Sequence, residues 1–186
     1  MQLNQQGFTL LETLIAMALS SIVLLGAGRL FPVLQRAVLQ QYQKETVQES
    51  LWQLAFSLGK QLQRAGYCHG NCTGQGLVLS KGGECVLLQW DSNSNGRWEP
   101  ASHAQTEQTG FRLNGTDLEA LRGATRCEGS GWEKLSDPAT MVIQKFTVTR
   151  LARQAMSSLL IIDLAAASKS GRNPVSLRHI VVGYNQ

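Results

Sequence analysis

The stretch QQGFTLLETLIAMALSSIVLLGAG, residues 5–28, contains one charged side chain, Glu12, in a run that is apolar enough to span a membrane. From Phe8 to Gly28 no other residue is charged, and Arg29 is the first basic residue of the chain. A helix of this length is roughly 30 Å long, which matches the hydrocarbon core of a bilayer. A carboxylate within such a span costs on the order of 3 kcal/mol, so we expect Glu12 to have a specific use.

Gly7 lies before the apolar run, whereas an ordinary secretory signal is cut after its apolar core. Cleavage at Gly7 would leave the whole apolar helix on the mature protein. The motif QGFTLLETLIA, residues 6–16, resembles the class III signal of type IV prepilins and type II secretion pseudopilins. The resemblance implies that a prepilin peptidase cleaves between Gly7 and Phe8 and N-methylates Phe8. The leader MQLNQQG departs from that family because it lacks the usual Lys or Arg.

The same resemblance makes Glu12 an assembly residue. Cleavage would create an ammonium group at Phe8, and in a filament the Glu12 carboxylate of one subunit would pair with the terminal amine of its neighbour. Such a pair at low dielectric fixes the register of the subunits, because leaving either charge alone is expensive. The alternative is a tolerated acid whose carboxylate extends to the membrane interface.

The chain after the apolar run changes its hydrophobic period once. Beyond Pro32, which we expect to kink the helix, apolar residues recur every three or four positions and predict an amphipathic helix that ends near Gly66. That apolar face comprises Val47, Leu51, Leu54, Ala55, Leu58, Leu62 and Ala65. From about residue 75 the period becomes two, which predicts strands, and Asn114–Gly115 predicts a hairpin.

The predicted fold class is therefore α+β, and the resemblance makes it type IV pilin-like, with a long N-terminal helix packed on a C-terminal antiparallel β-sheet. The strands read LVLS, CVLLQW, GFRL, MVIQKFTVTRL, SSLLIIDLAA and SLRHIVVGY, and the last three predict a meander. We expect a leader at 1–7, a transmembrane helix at 8–30, an amphipathic half of the helix at 31–66 and a periplasmic β-sheet domain at 67–186.

Four cysteines in a chain with an export-type N-terminus indicate disulfides in an oxidising compartment. Cys68 and Cys72 close the small loop CHGNC, and pairing them leaves Cys85 to pair with Cys127. The pairing of Cys68 with Cys85 and of Cys72 with Cys127 stays open. A zinc site of Cys68, Cys72 and His69 is disfavoured, because the other two cysteines lack the paired spacing of zinc ligands.

The segment DSNSNGRWE, residues 91–99, has the alternating oxygen side chains of half a calcium loop. The candidate ligands are Asp91, Asn93, Asn95 and Glu99. The twelfth position of a full EF-hand loop needs a bidentate glutamate, and Ser102 stands there. A polar hairpin turn explains the same residues. We therefore expect no cofactor, with calcium as the alternative.

Charge and motifs limit the function classes. Residues 1–139 carry 11 Lys and Arg against 12 Asp and Glu, whereas residues 140–186 carry 6 against 1. This basic excess can mark nucleic-acid contact, but no recognition module accompanies it, so a nucleic-acid partner is not expected. The histidines His69, His103 and His179 stand in unrelated contexts without a nucleophile motif, and we expect no enzyme.

Four longer segments narrow the resemblance to the minor-pilin group that includes PilW and the J-type pseudopilins. They are LQRAGYCHGNCTG, ECVLLQWDSNSNG, GFRLNGTDLEALRGATRCEGSGWEKLSDP and AAASKS. The resemblance implies a minor pilin that joins other minor pilins in an inner-membrane priming complex, initiates type IV pilus assembly and ends at or near the filament tip. The implied partners are the prepilin peptidase, other minor pilins, the major pilin and inner-membrane lipid.

The implied location is a single-pass inner-membrane protein with its C-terminal domain in the periplasm, found later in the pilus at the cell surface. Three alternatives stay open: a J-like pseudopilin of a type II secretion system, a tip adhesin, and a DNA-uptake module. The last would use the cations of the C-terminal quarter, Lys145, Arg150, Arg153, Lys169, Arg172 and Arg178.

Overall fold

The computed structural model describes Gly7 and residues 9–185. Within these residues a single α-helix, α1 at Leu10–Arg64, precedes all of the β-strands. The strands are β1 at Leu77–Ser80, β2 at Cys85–Gln89, β3 at Gln108–Asn114, β4 at Asp117–Arg122, β5 at Glu133–Lys134, β6 at Met141–Arg153, β7 at Met156–Ser168 and β8 at Val175–Gly183. A short 3-10 turn at Lys81–Gly83 separates β1 from β2.

The described chain divides after Tyr42 into two compact units. The first contains the N-terminal part of α1, where every described side chain is exposed, including many large apolar ones. Its length and apolar composition suffice to cross a membrane. Pro32 lies inside the helix, and helical residues stand on both sides of it. A kink at Pro32 stays a prediction.

The second unit, Gln43–Gln186, contains all of the strands. Strands β1 to β5 form an antiparallel sheet in chain order. Strands β6, β7 and β8 form a second antiparallel sheet, which is the predicted meander. The predicted hairpin joins β3 to β4, where Asn114 pairs with Asp117 and Gly115 takes a φ of 61°. Its two-residue loop is therefore Gly115 and Thr116.

One core joins the C-terminal part of α1 to both sheets. The predicted apolar face of the helix is buried except for Leu54, which is half-buried. At Gly59 the helix approaches β8 closely, since a Cβ placed there would lie 2.8 Å from His179 Nε2 and 3.1 Å from Val181 Cγ1. Glycine at this position therefore allows the helix to pack directly on the three-stranded sheet.

The predicted α+β class, with one long N-terminal helix followed by antiparallel strands, is confirmed. Two details differ from the expectation. The strands divide between two sheets, and the two-residue strand β5 was not predicted because its sequence is polar and short. The helix ends at Arg64, and Gly66 follows with a φ of 83° and donates its N–H to the Gln89 carbonyl. The domain boundaries stay predictions.

Candidate functional site

The predicted processing site lies at Gly7 and Phe8. Gly7 is exposed, and a Cβ placed on it would meet no heavy atom within 4 Å. Phe8 and leader residues 1–6 lie outside the described residues. Cleavage between Gly7 and Phe8, and methylation of Phe8, therefore stay predictions.

Glu12 lies in the first turn of α1, and its carboxylate closes a capping box with Thr9. The Thr9 backbone N–H and hydroxyl donate to Glu12 Oε2 at 3.0 Å and 3.1 Å, and the Glu12 backbone N–H donates to Thr9 Oγ1 at 3.3 Å. These reciprocal bonds satisfy two of the N–H groups that a helix N-terminus leaves without partners. The T-x-x-E spacing of Thr9 and Glu12 is the sequence signal for this box. The capping role of Glu12 was not predicted, because Glu12 was considered only as an assembly residue.

The capping box also fixes where the Glu12 carboxylate lies. Glu12 is exposed, and its Oε2 is held against the backbone N–H of the residue that follows Phe8. Cleavage at Gly7 would place the new ammonium one residue from that N–H. The carboxylate therefore lies at the N-terminal end of α1, and its role as an assembly contact stays a prediction.

Both cysteine pairs are bonded. The structure contains the disulfides Cys68–Cys72 and Cys85–Cys127, which is the first of the two pairings that the sequence left open. Cys85 and Cys127 are buried, and their bond joins the start of β2 to the loop that follows β4 across 42 positions. The longer bond therefore links an inner strand of the five-stranded sheet to a distant loop.

The zinc alternative does not fit this bonding. The sulfur atoms of Cys68 and Cys72 and a carboxylate oxygen of Asp91 lie within 4.8 Å of one another. Zinc binds the thiolate form of cysteine, and sulfur atoms in a disulfide are not thiolates. The CHGNC loop is thus a covalently closed turn.

Asp91 anchors this turn to the loop at 91–99. The Asp91 residue is only 1% exposed. Its Oδ2 accepts hydrogen bonds from the backbone N–H groups of His69 at 3.0 Å and Gly96 at 2.9 Å. Its Oδ1 accepts a hydrogen bond from the Asn95 backbone N–H at 3.0 Å. Burial raises the pKa of Asp91, but these hydrogen bonds together outweigh burial, and the pKa is lowered overall. Both oxygens already accept hydrogen bonds from backbone N–H groups, so Asp91 holds the backbone of the loop in place.

Asn93 and Asn95 shape the same loop through their side-chain carbonyls. Asn93 Oδ1 accepts from Asn95 N–H at 3.0 Å, and Asn95 Oδ1 accepts from Arg97 N–H at 3.1 Å. These are local turn bonds, which asparagine forms readily. Asp91, Asn93 and Asn95, three of the four candidate cation ligands, therefore stabilise the 91–99 loop by hydrogen bonds within it. Asp91 also bonds to the CHGNC turn.

Glu99, the fourth candidate, lies instead beside a second buried glutamate. Glu99 is 7% exposed and Glu107 is 6% exposed. Glu99 Oε1 accepts from Asn95 Nδ2 at 2.6 Å, and Glu99 N–H donates to Glu107 Oε2 at 3.4 Å. The pKa of Glu99 is lowered, first by the bond from Asn95 and then by a hydrogen bond with the Glu107 carboxyl, while burial opposes the change.

Glu107 was absent from the predicted site. It lies eight residues after Glu99, directly before β3, and belongs to no recognisable motif. Its Oε1 accepts from the backbone N–H and hydroxyl of Ser92 at 2.5 Å and 2.8 Å, and from Asn93 N–H at 3.3 Å. The tertiary fold alone brings it to the 91–99 loop, so spacing could not identify it.

The histidines lie in three separate places. The backbone of His69 contacts Asp91, and His103 Nδ1 accepts from the Gln105 N–H at 3.1 Å. The His179 ring stacks edge-on against Phe56, with ring centroids 5.0 Å apart, and against Trp52 at 6.5 Å. Each histidine has a structural contact, and the three do not form one cluster.

Three of the six cations of the C-terminal quarter form side-chain bonds within the second sheet. Arg178 forms a two-point ion pair with Asp163, with Nε to Oδ1 at 2.7 Å and Nη2 to Oδ2 at 3.1 Å. The hydrogen bond from Arg178 lowers the pKa of Asp163, against a smaller effect of burial. Arg150 donates to Ser158 Oγ, and Arg153 donates to the Ser157 carbonyl. These three arginines therefore bond within the sheet that carries them.

Comparison with known proteins places the chain in a family. A family model described as Prepilin peptidase-dependent protein B matches residues 40–182, and one described as the prokaryotic N-terminal methylation motif matches residues 2–28. Prepilin peptidase-dependent protein B of Escherichia coli (strain K12) is 47% identical over 186 residues, covering 100% of both chains. No solved structure matches the chain.

These matches agree with the geometry of α1. The methylation motif covers Gly7, Phe8 and Glu12, and the apolar helix indicates membrane anchoring of a C-terminal soluble domain. The family consists of pilin-like structural proteins rather than enzymes. The chain is therefore a type IV pilin-like or pseudopilin protein, and it belongs to the prepilin peptidase-dependent protein B family.

Proposed function

We propose that this chain is a minor pilin that joins other minor pilins in an inner-membrane priming complex and initiates assembly of a type IV pilus. The complex starts the filament, and its subunits end at or near the tip. One observation carries the proposal: within the methylation motif, Gly7 precedes an apolar span whose first turn holds an exposed carboxylate, Glu12.

Processing is the first step of the proposed function. A prepilin peptidase cleaves between Gly7 and Phe8 and methylates Phe8, which removes the leader and leaves the apolar helix on the mature chain. The open space around Gly7 supports this step, because a peptidase must approach the backbone closely there. Major pilin subunits and other minor pilins are processed by the same enzyme in this proposal, which supplies each of them with a cationic N-terminus.

Docking is the second step, and it depends on Glu12. The capping box keeps the carboxylate at the N-terminal end of α1, where the terminal ammonium of a neighbouring subunit would be its ion-pair partner. Within hydrocarbon, an ammonium without such a partner is unfavourable by several kcal/mol. A subunit that keeps this glutamate can accept a neighbour's N-terminus, so we place the chain inside the priming complex rather than at its apex.

The proposed topology is a single-pass inner-membrane protein with the second unit in the periplasm. Two disulfides support this location, because disulfides form and persist in oxidising compartments. Lipid surrounds the exposed apolar side chains of residues 10–30 before assembly, and neighbouring helices replace lipid in the filament. The filament then carries the subunit to the cell surface.

Processing is tested by N-terminal sequencing and intact mass of the mature protein. We expect the mature chain to begin at Phe8 and to carry one added methyl group. Gly7→Leu should leave an uncut precursor in the membrane. The matched control is Gly26→Leu, at a helical glycine that also has open space around its Cβ position and should leave cleavage unchanged. A mature wild-type protein that begins at another residue contradicts the class III assignment.

A J-like pseudopilin of a type II secretion system is the second candidate, because the N-terminal methylation motif belongs to both classes in the resemblance. Deletion of the gene separates the two, with surface pili and secretion of type II substrates measured in the same strain. Loss of pili with secretion retained supports the pilus role. Loss of secretion with pili retained identifies the pseudopilin instead.

A further inference from the structure

Strand β8, Val175–Gly183, is an open edge of the second sheet. It lies at the end of the strand order β6–β7–β8, and within the described residues no strand pairs with its outer side. An edge strand presents N–H and C=O groups with which another chain can pair. Proteins prevent such pairing with short edge strands, bulges, proline or lysine. The features of each edge therefore indicate which of them can accept a partner.

The other three sheet edges are short or interrupted. The edges of the first sheet are β1, with four residues, and β5, with two. Strand β6 has two register shifts, its Ile143 N–H donates to the Thr116 carbonyl at 2.8 Å, and the backbone of Val148 packs against Gly83. Strand β8 differs from all three, because its nine residues pair with β7 in unbroken register and include no Lys or Pro.

The charge that β8 carries does not protect its edge. Arg178 is the one residue among the Lys, Arg, Asp and Glu types in this strand. Its guanidinium forms the two-point ion pair with Asp163 of β7, which directs the cation away from the open edge. Ile180, on the same face as Arg178, is 51% exposed. The edge therefore presents backbone and an apolar side chain to solvent.

Two exposed aromatic rings of α1 lie beside the other face of β8. Phe56 is 53% exposed and Trp52 is 38% exposed, and their rings stack with centroids 5.6 Å apart. The His179 ring of β8 lies edge-on to Phe56 at 5.0 Å. Alternate side chains of a strand that paired with β8 would point toward these rings. Aromatic burial would then add affinity to the backbone hydrogen bonds.

We propose that β8 accepts an extended, acidic segment of another protein as an added strand. Charge identifies the occupant: residues 140–186 carry 6 Lys and Arg against 1 acid, Asp163, which Arg178 already neutralises. A second copy of β8 would bring another cation to this basic surface, whereas a strand that alternates apolar and acidic side chains complements it. The surface belongs to the second unit alone, so the inference goes beyond pilus assembly and does not depend on it.

The binding test uses the full mature chain in detergent micelles and two synthetic peptides of the same length as β8. One alternates valine and glutamate, and the other alternates valine and lysine. Fluorescence anisotropy of the labelled peptide measures the dissociation constant, and hydrogen–deuterium exchange of the chain locates the contact. We expect saturable binding of one glutamate peptide per chain, slower exchange of β8 N–H groups, and about tenfold or more weaker binding of the lysine peptide. High salt should weaken binding of the glutamate peptide.

Phe56→Ser removes a ring beside β8 and should weaken binding of the glutamate peptide about fivefold or more. The matched control is Leu135→Ser, which also removes a partly exposed apolar side chain but lies after β5, so it should bind as the wild type does. Ile180→Glu, which adds a carboxylate at the edge itself, should weaken binding of the glutamate peptide and leave binding of the lysine peptide equal or stronger.

The two peptides with the wild-type chain decide the proposal even where a variant does not fold. It is overturned by absence of saturable binding of the glutamate peptide, by equal binding of both peptides, or by slower exchange confined to residues outside β8. Slow exchange of β8 without peptide, in a chain that is dimeric at the same concentration, identifies a second copy as the occupant and also overturns it.

Discussion

Removal of the two disulfides, one at a time, tests how the second unit is stabilised. In the chain-entropy description a cross-link restricts the unfolded chain more when it closes a longer loop. Cys85–Cys127 spans 42 positions and Cys68–Cys72 spans 4. These spans correspond to about 4 kcal/mol and about 2 kcal/mol of stabilisation at 25 °C. The longer disulfide should therefore contribute about 2 kcal/mol more to the free energy of unfolding.

The assay is urea unfolding of the mature chain in non-ionic detergent, followed by tryptophan fluorescence, for C85A/C127A and C68A/C72A. With an m-value of about 2 kcal/mol/M, the midpoints should fall by about 2 M and about 1 M. Cys85 and Cys127 are buried, so C85A/C127A also loses packing contacts. This loss lowers its midpoint further, in the same direction as the loss of the longer disulfide. An equal or larger loss in C68A/C72A refutes the loop-length reasoning.

Two further predictions concern a close backbone approach and an ion pair. Gly82 and Gly83 both take positive φ, but only a Cβ on Gly83 would meet the backbone of Val148. Gly83→Ala should therefore lower the free energy of unfolding by about 1–3 kcal/mol more than Gly82→Ala does. The same urea assay measures this difference. Arg178 holds the pKa of Asp163 below its ordinary value of 3.8, so the stability that this pair contributes is present above pH 3.8 and is lost as the pH falls through the lowered pKa. In Arg178→Gln, an NMR titration should find the pKa of Asp163 closer to 3.8; an unchanged value would show that the ion pair does not form in solution.

Periodicity predicted most of the fold because it reports local geometry. The three- and four-residue spacing of Val47, Leu51, Ala55 and Leu58 predicts one buried helix face, and these residues are buried. Alternation predicted the long strands of the second sheet in the same way. It could not predict β5, whose two polar residues, Glu133 and Lys134, carry no apolar period. It also could not divide the strands between two sheets.

The candidate site was harder to predict because its parts come from separate segments. Spacing alone left two cysteine pairings open, and the fold decides between them by which sulfur atoms it brings together. Glu107 carries no signal of its own, since its burial beside Glu99 arises only after β2 and β3 have paired. The capping box of Thr9 and Glu12 is different, because its spacing was visible in the sequence.

The most direct test of the assembly role is recovery of partner minor pilins and the number of pili in strains that carry Glu12 variants and lack any second priming system. Glu12→Leu makes the helix more apolar, so it should enter the membrane and be processed normally. Ser21→Leu is the matched control, because it adds a similar apolar side chain to the same helix without removing a charge. Glu12→Gln keeps a residue that can complete the capping box but lacks the charge.

Glu12→Leu should lose partner recovery and pili, Glu12→Gln should fall between it and the wild type, and Ser21→Leu should match the wild type. The loss follows because a neighbour's terminal ammonium would have no partner in hydrocarbon, which is unfavourable by several kcal/mol. Full pilus numbers with unchanged partner recovery in the Glu12→Leu strain would contradict the role of Glu12 as an assembly contact.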